Sequence, residues 1–116
     1  MGDKTLEMTM LFDFFGDLLT EKQKEYSDLY YNDDLSLAEI AESFGISRQG
    51  VRDNIVRAEN SLREFEEKTG VVKRFEEMQL SISGIEDELR VLASNLKDED
   101  KVMAEEIIGK LQDLKG

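Results

Sequence analysis

LSLAEIAESFGISRQGVRDNI, residues 35–55, is the stretch on which the reading of this chain turns. Leu37, Ile40, Ala41 and Phe44 fall at the spacing that lines one face of a helix with apolar side chains. Ser36 stands at the N-cap, and Glu39, three residues on, completes a capping box. Gly45 occupies the position where a helix ends in a left-handed residue. Ser47 caps a further helix, on which Val51, Ile55, Ala58, Leu62 and Phe65 recur at steps of four, three, four and three. Two short-linked helices with glycine in the turn make a helix-turn-helix. Ala41 is small where the two helices cross. Ile46 is expected to plug the gap between them, and Val51 and Ile55 to seat the second helix on the first.

Upstream, Leu11, Phe14, Phe15 and Leu18 repeat the helical spacing, with Leu19 added to it, whereas Phe12 falls off this stripe. Phe12 is therefore expected to be exposed or packed against the C-terminal tail. Thr20 and Gln23 form another capping box, opening a helix with the stripe Tyr26, Leu29 and Tyr30. Asn32, Asp33 and Asp34 make a polar turn, and the long pattern stops at Thr69-Gly70. Beyond Gly70, the positions Phe75, Met78, Ile82, Ile85, Leu89, Leu92 and Leu96 alternate steps of three and four, the period of a coiled-coil seam. Gly84, inside that seam, is expected to mark a kink or break. Asp98 is expected to cap a last helix whose apolar face is Met103, Ile107, Leu111 and Leu114. The expected architecture is all-α: a helix-turn-helix domain of four helices over 1–69, then two or three helices over 71–116. The seam either packs back within the chain or pairs with a second copy, and the homodimer is the favoured reading because a small helical domain leaves such a stripe wet.

The absence of proline among the 116 residues agrees with nearly continuous helix. Neither cysteine nor histidine occurs, which excludes disulfides, thiolate chemistry and Cys/His zinc sites, and removes the commonest general base. No phosphate loop and no nucleophile beside a base can be found, so neither enzyme activity nor a cofactor is expected. YYNDD, residues 30–34, lacks the ligand spacing and glycine of a calcium loop. No apolar run approaches a membrane span and the N-terminus lacks a signal peptide's order, so a cytoplasmic protein without membrane insertion is expected.

With 27 acidic against 15 basic residues, the net charge is −12. Such a field repels nucleic acid at long range. Between Ser47 and Arg57 the balance reverses, with Arg48, Arg52 and Arg57 against the single acid Asp53. In a helix-turn-helix the N-terminal end of the second helix enters the major groove. Here that end offers Ser47 and free N–H groups for a phosphate oxygen, Arg48 or Gln49 for a base edge, and Arg57 further along for the backbone. The competing reading makes these arginines solvated residues paired with neighbours such as Asp53 or Glu59.

The run LSLAEIAESFGISRQGVRDNIVRAENSLREFE resembles the fourth conserved region of bacterial sigma factors. More closely, LFDFFGDLLTEKQKEYSDLYYNDDLSLAEIAESFGISRQGVRDNI is similar to the YlxM family, over about residues 1–69, with 71–116 matching as a divergent helical tail. The resemblance implies a sigma-like helix-turn-helix, a dimer, and a non-enzymatic regulator associated with the signal recognition particle pathway. The implied partners are the particle's small RNA, or DNA, and its GTPase. A second reading from a different class is an acidic adaptor for that GTPase, with the helix-turn-helix as scaffold only. After SRQ the family commonly has Ala, Val and Tyr, where this chain has Gly50, Val51 and Arg52. Arg52 makes the helix more basic than is usual there.

Overall fold

The computed structural model describes residues 6–116 and contains, among them, six α-helices and no strand. These are α1 (Leu6–Phe15), α2 (Glu21–Tyr31), α3 (Leu37–Phe44), α4 (Arg48–Thr69), α5 (Val71–Ser94) and α6 (Asp98–Lys115), with a short 3-10 turn, Gly16–Leu18, after α1. The chain divides into two compact units after Val72.

The local devices that start and stop these helices are those the sequence announces. Thr20 and Ser36 each accept from the N–H three residues on, and Gln23 and Glu39 reach back to complete both capping boxes. Gly45 and Gly70 end α3 and α4 at φ 66° and 62°, a left-handed backbone that glycine adopts without a Cβ penalty. Asp98, expected as a cap, instead begins α6 itself, and Lys97 at the N-cap provides no side-chain hydrogen bond. Gly84 does not interrupt α5, which runs unbroken through it.

In the first unit α4 is the central helix, packing on α1, α2 and α3. Tyr26, Tyr30, Ile40, Ala41, Val51 and Ile55 form the core of the helix-turn-helix. A neighbouring cluster joins Met8, Leu11, Phe12, Phe15, Leu62 and Val72. Tyr31 borders both clusters. Its hydroxyl donates to Glu59 Oε2 at 2.6 Å, and that carboxylate is only 3% exposed. Burial first, and the Glu59 carboxylate second, push the Tyr31 hydroxyl well above its ordinary pKa, so it remains a donor.

The apolar face of α1 differs from the expected one. Phe12 is buried, with its ring 6.1 Å from that of Tyr31, while Phe14 is 38% and Leu18 65% exposed. The helix ends at Phe15, so Leu18 never takes its place on the stripe, and Met8, Leu11, Phe12 and Phe15 supply the same spacing one phase away. A Cβ at Gly16 would come within 3.2 Å of the Phe12 ring, so the glycine makes room for a side chain that falls off the stripe expected from the sequence. Ile46, expected to plug the gap between the helices, stays 39% exposed and joins neither buried cluster; its backbone N–H bonds to the Ala41 carbonyl at 3.1 Å.

The second unit is an antiparallel hairpin of α5 and α6. Its buried residues are Ile82, Glu86, Ala93, Ala104 and Ile108, with Leu89 and Leu96 packed beside the two alanines. The heptad seam therefore splits: Ile82, Leu89 and Leu96 turn inward, whereas Phe75, Met78, Ile85 and Leu92 are exposed. Met103, Ile107 and Leu114, expected on the inner face of α6, are exposed too, because Ala104 and Ile108 make the contact. Glu86 accepts from Arg90 Nη2 at 2.8 Å and from Lys115 Nζ at 3.1 Å. Those two cations hold its carboxyl below the ordinary range, and the bond to Lys115 ties the end of α6 back to α5.

Candidate nucleic-acid interface

The turn 45–47 and the first turns of α4 form the candidate surface. Ser47, at φ −74° and ψ 153°, is the N-cap and accepts from the Gly50 N–H at 3.0 Å. Helix geometry leaves the N–H groups of Arg48 and Gln49 without intrahelical acceptors, pointing out of the helix end. A Cβ at Gly50 would stand 3.2 Å from Ser47 Oγ, a tight contact that a shift of a few tenths of an ångström in the serine relieves. The ~1 kcal/mol that alanine would add to the helix is thus opposed by crowding of its cap. Asn54 Nδ2 donates to the Gly50 carbonyl at 2.9 Å, which bonds the same turn from the other side.

Val51, Ile55 and Ala58 are wholly buried and fix the rotation of α4 about its axis. That rotation leaves Ser47, Arg48, Gln49, Arg52 and Arg57 exposed. The acids expected to neutralise the arginines are engaged elsewhere. Asp53 Oδ1 accepts from Gln49 Nε2 at 2.9 Å, and Glu59 is buried against Tyr31. Among the described residues, Arg48, Arg52 and Arg57 form no salt bridge. In the sequence Asp53 stands as a charge against the arginines, but its four-residue spacing from Gln49 also signals a side-chain pair on one helix face. Nothing in the described residues gathers three or more acids into a metal site, and no described helix is long and apolar enough to cross a membrane.

The comparison with known families agrees with this geometry. The family model for helix-turn-helix proteins "YlxM / p13 like" matches residues 2–105. The chain belongs to the UPF0122 family. A UPF0122 protein of Thermoanaerobacter sp. is 44% identical over 115 residues, covering 98% of both chains. The UPF0122 protein YlxM of Bacillus subtilis is 47% identical over 102 residues, covering 88% of this chain and 89% of its own. A UPF0122 protein of Halalkalibacterium halodurans reaches 59% over 76 residues, 66% of this chain and 70% of its own. The UPF0122 match runs past residue 69, through α5 and into α6.

Proposed function

We propose that this UPF0122 protein acts by binding, docking the N-terminal end of α4 on nucleic acid. The observation that carries the reading is the state of the arginines. In a chain of net charge −12, Arg48, Arg52 and Arg57 lie exposed along α4, while Asp53 and Glu59 on the same helix are held by Gln49 and Tyr31. Ser47 and the free N–H groups beside it position a phosphate, and Arg48, Gln49 and Arg52 face the groove. The acidic remainder limits adhesion to nucleic acid at large. In this proposal 1–69 is the binding domain and 71–116 is a dimerisation element, presenting the exposed Met78, Ile85 and Leu92 to a second copy. Sedimentation equilibrium at tens of micromolar reads that directly, and a monomer there removes the dimer.

The resemblance to the YlxM family directs the first test to the signal recognition particle pathway in the cytoplasm. Binding to the particle's small RNA and to a promoter duplex is measured at several salt concentrations, for the wild type and for Arg48→Ala/Arg52→Ala. The slope of log affinity against log salt falls by about 0.9 for each duplex phosphate that is no longer neutralised, so the variant binds more weakly with a slope shallower by about 1 to 2. Absence of wild-type binding even at low salt rejects the reading and favours an adaptor whose acidic faces meet a basic protein such as the particle's GTPase.

A further inference from the structure

We infer that Asp53 is a positioning residue: it orients Gln49 to read an adenine in the major groove of duplex DNA. The inference rests on the docking of α4 proposed above. Gln49 Nε2 lies 2.9 Å from Asp53 Oδ1. An ionised carboxylate only accepts, so it must face the nitrogen end of the amide. The two ends of an unconstrained glutamine amide exchange freely; here Oε1 is turned away from Asp53. Gln49 sits in the first turn of α4, the part of a recognition helix that meets base edges. With one N–H given to Asp53, the amide keeps one acceptor and one donor. Adenine presents the complement, an N6 donor and an N7 acceptor, on its major-groove edge.

Guanine presents two acceptors at the same edge. One of them can take the remaining N–H, but the other then meets Gln49 Oε1 and is repelled, so the oriented amide disfavours guanine as well as accepting adenine. The side chain is ordered before it binds, which lowers the entropy cost of docking. Asp53 also has a cost. It places a negative charge among the three arginines, so it lowers affinity for every sequence while sharpening the choice among them. The deep, narrow major groove of A-form RNA does not admit such a side-chain pair, so the geometry assigns this reading to DNA.

The test is selection from a pool of randomised DNA duplexes by the full chain and by Asp53→Asn, Asp53→Ala and Gln49→Ala, followed by titration of the selected duplex and of its A·T-to-G·C variant. The wild type is expected to fix an A·T pair at one position, preferring it roughly fivefold to a hundredfold. Asp53→Asn loses that preference because its amide both donates and accepts. Asp53→Ala loses it too; both neutral variants bind unselected duplex more tightly than the wild type, and loss of the A·T preference with binding retained is the outcome that a purely structural Asp53 would not give. Gln49→Ala abolishes the preference. An A·T preference that survives Asp53→Asn, or no preference in the wild type, overturns the inference and leaves the docking intact. Binding confined to RNA also overturns it. Failure to bind any nucleic acid overturns the docking with it.

Discussion

Phe12→Ala unfolds the first unit about 3–5 kcal/mol more easily than the wild type, whereas Phe14→Ala costs distinctly less. Phe12 is 7% exposed, within the cluster that also holds Met8, Leu11, Phe15, Leu62 and Val72, and it touches the Tyr31 ring and lies over Gly16. Removing it leaves a cavity that the flanking helices fill only in part. Phe14 is partly exposed, so its truncation removes less buried surface. The chain has no tryptophan, and its three tyrosines, Tyr26, Tyr30 and Tyr31, all lie on α2, so tyrosine fluorescence during urea unfolding reports on this unit alone. Equal costs for the two variants, or a larger one for Phe14→Ala, would contradict the packing of α1.

Tyr31→Phe lowers the stability of the same unit by about 1–3 kcal/mol, with the upper end expected because the group it abandons is charged. The ring stays in place between the two clusters, so the change removes only the hydroxyl and its 2.6 Å bond to the buried Glu59. Replacing both partners, as Tyr31→Phe/Glu59→Leu, is expected to cost less than the two single changes together, since no buried carboxylate is left wanting a donor. Strict additivity in that double-mutant cycle would show that the Tyr31 bond carries none of the stability. The bond has a further consequence for the surface of α4. It holds one of the few acids near Arg57 inside the fold, leaving the helix face more basic than its sequence suggests.

Most of the devices that fix helix ends were legible in the sequence, although Asp98 begins α6 instead of capping it and Gly84 leaves α5 unbroken. Thr20 with Gln23, Ser36 with Glu39, Ser47 with Gly50, and the glycines at 45 and 70 all fix helix ends through local hydrogen bonds or backbone freedom, so spacing alone identifies them. Which face of a helix turns inward was less visible. In α1, two interleaved apolar stripes compete, and the choice falls to Met8 and Phe12 through contacts made tens of residues away, with Leu62 and Tyr31. In the hairpin, the apolar repeat drew attention to large side chains, but Ala93 and Ala104 form the close contact and leave Met78, Ile85, Leu92 and Met103 outside. Small residues at a crossing are not distinguished by hydropathy.

The candidate surface was legible as a set of residues but not as a state of charge. Arg48, Arg52 and Arg57 could be counted from the sequence, whereas their freedom depends on Asp53 being engaged by Gln49 and on Glu59 being buried. The first depends on a rotamer, and the second on how α2 packs against α4.

The central claim, that the N-terminal end of α4 meets nucleic acid, is tested most directly by cross-linking in the protein's own cellular setting. A benzophenone side chain is placed at Gln49, and in a control at Glu67 on the last turns of α4; lysates are irradiated and the adducts treated with nuclease or left untreated. The account predicts a slow-migrating adduct at position 49 that nuclease collapses to the size of the free chain plus a short oligonucleotide, and none at position 67. An adduct at position 49 that resists nuclease and yields partner peptides on protease digestion would contradict it.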